Sequence, residues 1–185
     1  MAKRLRADVF EGGNYVRLFT FGDGSCFFHA VAAALDVDGY RSRPRPEQRR
    51  IGHALRARVA AAYPAFLAAL DPGLRDATDG DGARVFPTAE EAADPSRDAG
   101  ESLWRLTARE LGVTIVVCEA PGRTYVTPDA DRPPRVLLVA WVNRNHFEPI
   151  LAAAAATNAG PGEPAADGYR GVFALDAPVV RRLLG

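Results

Sequence analysis

The spacing of apolar residues predicts three helices in the first two thirds of the chain. An apolar, alanine-rich run from Cys26 to Leu35 is typical of a mostly buried helix rather than of a strand. Residues 47–70 form a longer helical pattern, which Pro64 is expected to kink or divide in two. A third helix is predicted from Glu101 to Leu111, because its apolar residues share one side and Gly112 supplies a C-cap.

Two runs of β-branched and other apolar residues predict buried strands in the second half. Residues 113–118 end at Cys118 and lie between Gly112 and Pro121, which bound the run. Residues 135–142 form a second such run. Helices precede strands in the middle of the chain and strands dominate later, so the predicted fold class is α/β with a central sheet.

Shifts in composition predict the domain boundaries. Residues 1–13 are expected to be an N-terminal extension, and residues 14–150 the main domain. Within that domain, residues 71–99 are rich in Asp, Gly, Ala and Pro, which predicts a long surface connection of the kind that often has a function. Residues 151–168 have the composition of a flexible linker. Residues 169–185 regain apolar positions and predict a strand and a short helix that pack on the domain.

Composition and charge narrow the class of protein. The 185 residues are 48% hydrophobic and 25% charged, which is ordinary for a globular protein. Lysine plus arginine equal aspartate plus glutamate at 23 each, so the protein has no net positive charge that would attract nucleic acid or acidic lipid. The arginine-rich stretch 41–50 is interpreted as a solvated loop leading into a helix. No apolar run approaches the roughly 18 residues of a membrane span, and we expect a monomer without membrane contact.

The two cysteines indicate a reducing compartment. They are too few and too far apart for a disulfide framework, and the basic N-terminus is not followed by the apolar segment of a secretory signal. We therefore expect a cytoplasmic protein, or one that acts in the cytoplasm of a host if it comes from a pathogen. A free thiol would stay usable there.

Candidate chemistry begins at the sequence Asp23-Gly24-Ser25-Cys26. A cysteine at a glycine-containing turn that opens a helix lies where backbone N–H groups converge and the helix dipole is positive. Both favour the thiolate, which is the nucleophilic form, and the same N–H groups can receive the oxygen of a tetrahedral intermediate. A cysteine at a helix start can equally be a packing residue.

A second candidate group follows the predicted strand 135–142. His146 comes directly after it, and Glu148 is two residues further on. In an extended segment residues i and i+2 project to the same side, so the Glu148 carboxylate can hold the second nitrogen of the His146 imidazole.

Together these segments resemble the ovarian tumour (OTU) family of cysteine proteases. The cysteine box of that family, Asp-Gly-(Asn/Ser)-Cys-(Leu/Phe)-Phe-(Arg/His)-Ala, is matched throughout by residues 23–30. The short histidine box, His-aromatic-(Asp/Asn/Glu), is matched by residues 146–148, and residues 101–117 look like the family's middle helix and strand. The resemblance spans about residues 14–150. It implies a papain-like fold with a small central sheet flanked by helices, and no cofactor.

The resemblance also implies an activity and residue roles. The expected reaction is thiol-dependent hydrolysis of the isopeptide or peptide bond after the C-terminal glycine of ubiquitin. Cys26 would be the nucleophile and His146 its base. Asp23 belongs to the family's active site, and its backbone with the Cys26 amide would line the oxyanion hole. Glu148 stands where relatives often have Asp or Asn, so it competes with Asp23 as the acid that orients His146.

Other candidate residues favour structural roles. Cys118 is interpreted as an inert buried thiol, His29 as a structural residue and His53 as a surface residue among arginines. Trp104 is interpreted as a core residue, with a ubiquitin contact as the alternative. Since the cysteines and histidines lack the spacing of zinc ligands, we predict no metal site.

Two alternatives to a deubiquitinase remain open. The first is an inactive OTU fold that only binds ubiquitin or another partner. The second keeps the protease site but directs it to another ubiquitin-like modifier, such as the interferon-induced one, because both modifiers end in Leu-Arg-Leu-Arg-Gly-Gly.

Overall fold

A computed structural model of the protein describes residues 2–4, 15–78, 82, 84–119, 123–127, 132–153 and 168–185. These residues form helices on both faces of one mixed sheet. The helices are α1 (Cys26–Leu35), α2 (Val37–Ser42), α3 (Arg45–Ala69), α4 (Pro72–Arg75), α5 (Ala89–Ala93), α6 (Glu101–Leu111) and α7 (Pro178–Leu184). The strands are β1 (Ala2–Arg4), β2 (Tyr15–Leu18), β3 (Thr114–Glu119), β4 (Arg123–Thr127), β5 (Arg135–Val142), β6 (His146–Ala153), β7 (Tyr169–Arg170) and β8 (Val172–Ala174).

The sheet is built around β5. Its order is β1-β2-β6-β5-β3-β4, with β7 beside β6 and β8 beside β5. Only the β3–β5 pair is parallel among the described pairings, and β5 and β6 form an antiparallel hairpin. Because β5 is paired on both edges and covered on both faces, its sequence is an almost unbroken apolar run rather than an alternating one.

Alternating residues of the strands contribute to two separate cores. On one face, Ile115, Val117 and Leu137 pack with residues of α1, α3 and α6. On the opposite face, Val116 and Leu138 pack with residues of β8 and α7. The period of two along each strand therefore divides the core between a larger layer, which positions the candidate site, and a smaller layer closed by the C-terminal segment.

Most predicted elements are confirmed at their predicted places. The α1 and α6 helices and the β5 strand have the predicted bounds, and Gly112 ends α6 at a φ of +59°. The C-terminal segment forms two short strands and a helix, and β8 joins the sheet beside β5. None of the described helices is long and apolar enough to cross a membrane.

Three predictions about connections need correction. The α3 helix is continuous and contains Pro64, so the proline neither divides it nor ends it. Residues 71–99 contain α4 and α5, and their buried Ala92 and Ala99 join the core, so this segment is not only a surface connection. The predicted linker begins three residues too early, because β6 continues to Ala153; residues 154–167 lie outside the described part.

Candidate active site

A tight turn places Cys26 at the first position of α1. The Cys26 N–H donates to the Asp23 carbonyl at 2.9 Å, and Ser25, with φ −102° and ψ 12°, has the third-position geometry of a type I turn. The Ser25 N–H donates to the Asp23 carboxylate at 3.0 Å. From the sequence we expected the Cys26 N–H to be free to donate to the oxyanion of a tetrahedral intermediate. In this conformation it is instead bonded within the turn.

Glycine at position 24 is required by a neighbouring loop. A Cβ atom there would lie 2.5–2.6 Å from backbone atoms of Pro95, Ser96 and Arg97. Such contacts are too close for any side chain, so the turn fits against this loop only because residue 24 has none. The segment 94–98 therefore packs against the turn that precedes Cys26, and we call this segment the wall of the site.

A buried arginine fastens the turn to that wall. Arg56 on α3 is 1% exposed, and its Nη1 donates to the carbonyls of Gly24 and Arg97, each at 2.6 Å. Its Nε donates to the Ala92 carbonyl at 2.9 Å. The Arg56 side chain thus links α3 to the turn that precedes Cys26, to α5 and to the loop after α5. No local sequence pattern separates Arg56 from the exposed arginines of α3.

The Asp23 carboxylate meets two histidines. His29 Nε2 lies 3.3–3.4 Å from the two Asp23 oxygens, and His53 Nε2 lies 3.2 Å from Oδ2. Burial raises the pKa of Asp23, but the charge of His29 and the bonds from Ser25 and the histidines outweigh burial and lower it. Asp23 therefore serves its own turn and the two histidines. His29 is buried and bonded, as its predicted structural role requires. His53 is 38% exposed, as predicted for a surface residue, and it also contacts Asp23.

The Cys26 thiol is buried and its pKa is raised. Burial is the largest cause, and the negative charge of Asp98 adds to it. The Phe147 N–H acts in the opposite direction by hydrogen bonding to Cys26, which lowers the pKa. The position of Cys26 at a helix start predicted the opposite, a thiolate. The structure shows that desolvation outweighs the local backbone donors here.

The β5–β6 hairpin places His146 directly before Phe147, the residue whose N–H bonds to the Cys26 thiol. Asn143 and Arg144 have φ values of +52° and +57°, and the Asn145 N–H donates to the Val142 carbonyl at 3.2 Å, as in a type I′ turn. His146 follows this turn as the first residue of β6. Its neighbour Phe147 places its ring in the larger core and its N–H against Cys26.

The imidazole of His146 is mostly buried but lacks hydrogen bonds. Neither ring nitrogen has a hydrogen-bond partner among the described residues, and the half-exposed ring of Phe19 lies 5.5 Å from it between centroids. Burial lowers the pKa of His146, the Glu148 carboxylate raises it and Arg17 lowers it. The thiol–imidazole hydrogen bond is therefore not formed in this conformation.

Glu148 lies on the same side of β6 as His146, as the sequence spacing indicates. Its Oε1 is 4.0 Å from His146 Nε2, beyond hydrogen-bond distance, while its Oε2 is 3.3 Å from Arg17 Nη1. The carboxylate is 6% exposed. Glu148 is thus near enough to orient His146 after a small rotation, and Arg17 competes for it.

A cleft of about 360 Å³ opens between α6 and the β5–β6 hairpin. Four aromatic residues form its floor and three charged residues stand at its rim. The aromatic residues are Trp104, Tyr125, Trp141 and Phe147, and the charged ones are Asp98, Glu101 and Arg144. Trp104 is 3% exposed, so its predicted core position is confirmed and it also lines the cleft.

The arrangement of helix, turn and sheet defines a papain-like α/β domain, with a cysteine at the start of the central helix and a histidine on the facing strand. Among solved structures, this chain is similar to an OTU domain in complex with ubiquitin, at 14% identity and a TM-score of 0.62, over 94% of this chain and 82% of that one. The chain has the OTU fold.

Two further solved structures agree with this fold. The OTU domain of OTUD1 matches at 20% identity and a TM-score of 0.51, over 74% of this chain and 85% of that one. OTUB1, in a complex with ubiquitin aldehyde and a ubiquitin-charged UBCH5B, matches at 15% identity and a TM-score of 0.52, over 78% of each chain. No protein-family model and no curated protein sequence matches the chain.

Proposed function

We propose that this protein is a deubiquitinase, a cysteine protease that hydrolyses the bond after the C-terminal glycine of ubiquitin. One observation carries the proposal: within an OTU fold, the Cys26 thiol at the start of α1 lies against the Phe147 N–H, next to His146. The structural neighbours in complex with ubiquitin support the same substrate.

Each proposed catalytic residue has one task. Cys26 attacks the carbonyl carbon of the glycine and forms a thioester, and His146 takes the thiol proton and passes it to the leaving amine. Water then hydrolyses the thioester. Because Glu148 faces Nε2 of the imidazole, Nδ1 remains for the thiol. Glu148 holds the ring and stabilises the imidazolium that forms.

The turn must rearrange before catalysis. The Cys26 N–H now donates to the Asp23 carbonyl, so it can stabilise an oxyanion only when that bond opens. Reorientation of the Asp23–Gly24 peptide would release the N–H without moving α1. Formation of the thiolate–imidazolium pair would at the same time offset the effect of burial on the pKa of Cys26.

The cleft suits the basic tail of ubiquitin. Its floor is aromatic, and Asp98 and Glu101 supply negative charge at the rim. Arginine side chains of a Leu-Arg-Leu-Arg-Gly-Gly tail can stack on aromatic rings and pair with carboxylates. Phe147, whose N–H bonds to Cys26, and Asp98, whose charge raises the pKa of Cys26, both line the cleft, which supports a tail bound there as the substrate of Cys26.

A reactive probe tests the proposal directly. Ubiquitin carrying a thiol-reactive C-terminal group is expected to label the wild-type protein and Cys118→Ala, but not Cys26→Ala. Cys118 is the matched control, because burial raises its pKa to about 12 and leaves it a thiol. Labelling of Cys26→Ala, or loss of labelling in a folded Cys118→Ala protein, would contradict the assignment. Cleavage of the eight diubiquitin linkages then measures turnover.

A second candidate is an OTU-fold module that binds ubiquitin without cleaving it. The raised pKa of Cys26 and the absent thiol–imidazole bond favour it. Binding of unmodified ubiquitin without any labelling by the probe would establish this alternative. A parallel probe made from the interferon-induced modifier tests the remaining one, a protease for another modifier. The cytoplasmic location and monomeric state stay predictions.

A further inference from the structure

Three side chains, from two separate helices and from the turn that precedes Cys26, converge at that turn. They are Asp23 of the turn, His29 of α1 and His53 of α3, and one ligand atom from each lies within 4.8 Å of the others. The histidines are 24 residues apart in the sequence and are not at the spacing of a local metal motif. We infer that Asp23, His29 and His53 form a binding site for a divalent transition-metal ion of the zinc type.

The distances within this cluster also fit a shared metal ion. Asp23 Oδ2 lies 3.4 Å from His29 Nε2 and 3.2 Å from His53 Nε2. Charge-assisted N–H···O bonds are typically shorter, at about 2.7–2.9 Å. Ligand atoms held about 2.0–2.1 Å from one tetrahedral zinc ion are about 3.3 Å apart. The observed separations therefore match two edges of a zinc tetrahedron.

The surroundings fix one histidine and leave the other able to adjust. His29 is fully buried, and its Nδ1 lies 3.4 Å from the Tyr40 hydroxyl, which leaves Nε2 free to face Asp23. Gly52 makes room for this ring, since a Cβ there would lie 1.9 Å from Nδ1. His53 is 38% exposed and can rotate to complete the geometry.

The open side of the cluster leaves a position for a fourth ligand. A cavity of about 470 Å³ adjoins His53 and is lined by Arg45, Arg49 and Arg50 as well as by Phe21. Arg49 Nε is 3.7 Å from Asp23 Oδ2, but its side chain is 57% exposed and can swing away. These arginines weaken binding of a free dication and favour an anion as the fourth ligand. We therefore expect micromolar rather than tighter affinity.

Metal binding would hold Asp23 in its present turn. The carbonyl of the same residue retains the Cys26 N–H, so a bound ion would slow the release of that N–H. This consequence, reversible inhibition by zinc, rests on the proposed function. The binding of the metal itself does not rest on the proposed function, because it can be measured on the Cys26→Ala protein, which lacks the proposed nucleophile.

The test is zinc titration by calorimetry with the Cys26→Ala protein, which removes the thiol of the neighbouring candidate nucleophile as a competing ligand. We expect one equivalent to bind, and the affinity to fall at least about tenfold in Cys26→Ala proteins that also carry His53→Ala or Asp23→Asn. His146→Ala in the same background is the matched control, since the chain has only three histidines. It should leave the affinity unchanged.

Cobalt gives a second readout that is independent of catalysis. Visible absorption of a four-coordinate cobalt complex, without thiolate charge-transfer bands, is expected for nitrogen and oxygen ligands. No binding by the folded Cys26→Ala protein, or equal binding by its His53→Ala derivative, would overturn the inference. Loss of binding in the His146→Ala derivative would overturn it too, because the ion would then belong to the protease site.

Discussion

The two halves of the candidate site differ in how firmly they are held. The nucleophile half is fastened by the Arg56 bonds to the turn, by the close fit at Gly24 and by the contacts of Asp23 with two histidines. The base half consists of His146, whose ring nitrogens have no described partner, and Glu148, which pairs with Arg17. The difference indicates that the proposed catalysis needs new hydrogen bonds of His146 on the strand side, whereas on the nucleophile side only the bond between the Cys26 N–H and the Asp23 carbonyl has to open.

The largest effect on activity is expected from a substitution of His146, although its ring nitrogens make no hydrogen bond among the described residues. His146→Ala should abolish cleavage of diubiquitin as completely as loss of Cys26, because residues that act as one catalytic unit are strongly non-additive. The double variant should be no slower than either single variant. Turnover is measured on a gel over time, with circular dichroism as the control for folding. If His146→Ala kept a tenth of the wild-type rate, another base would have to act.

Glu148→Gln tests whether the acid acts through His146. We expect the rate of cleavage to fall roughly tenfold to a thousandfold, since an amide cannot stabilise the imidazolium as a carboxylate does. The pH dependence of Cys26 alkylation should shift as well, because Glu148 raises the pKa of His146. An unchanged alkylation profile, together with a shifted one in Asp23→Asn, would make Asp23 the orienting acid.

Arg56→Met tests the firmness of the nucleophile half. Removing the guanidinium leaves the buried Ala92 carbonyl and the part-buried carbonyls of Gly24 and Arg97 without this donor, so the free energy of unfolding should fall by roughly 2–5 kcal/mol. Arg58→Met is the control, because Arg58 is exposed and makes one long bond. It should change stability by less than about 0.5 kcal/mol. Urea denaturation measures both. Equal effects would show that Arg56 is not a fastening residue.

The smallest effect is expected from Arg17→Met, which releases Glu148 toward His146. Arg17 lowers the pKa of His146, so its removal should raise that pKa. His146 must be neutral to accept the thiol proton, and activity is lost as the pH falls through its pKa. The acid limb of the pH–rate profile should therefore move to higher pH in the variant. A shift to lower pH would contradict the Arg17–Glu148 competition.

Local pattern determined the elements and the candidate catalytic residues. The bounds of α1, α6 and β5 followed from runs of apolar residues and from Gly112, because hydrophobic periodicity and capping act within a few residues. The cysteine and histidine boxes likewise consist of neighbouring residues. Their resemblance to the OTU family indicated the fold that the solved structures then showed.

The tertiary structure alone decided the environment of those residues. The sequence pattern could not distinguish buried Arg56 from exposed arginines of α3, and the contacts that bury it come from residues 32 to 41 positions away. The meeting of His29 with His53 arises from the packing of α1 on α3. The raised pKa of Cys26 has the same origin, because desolvation depends on everything packed around an atom and not on its neighbours in the chain.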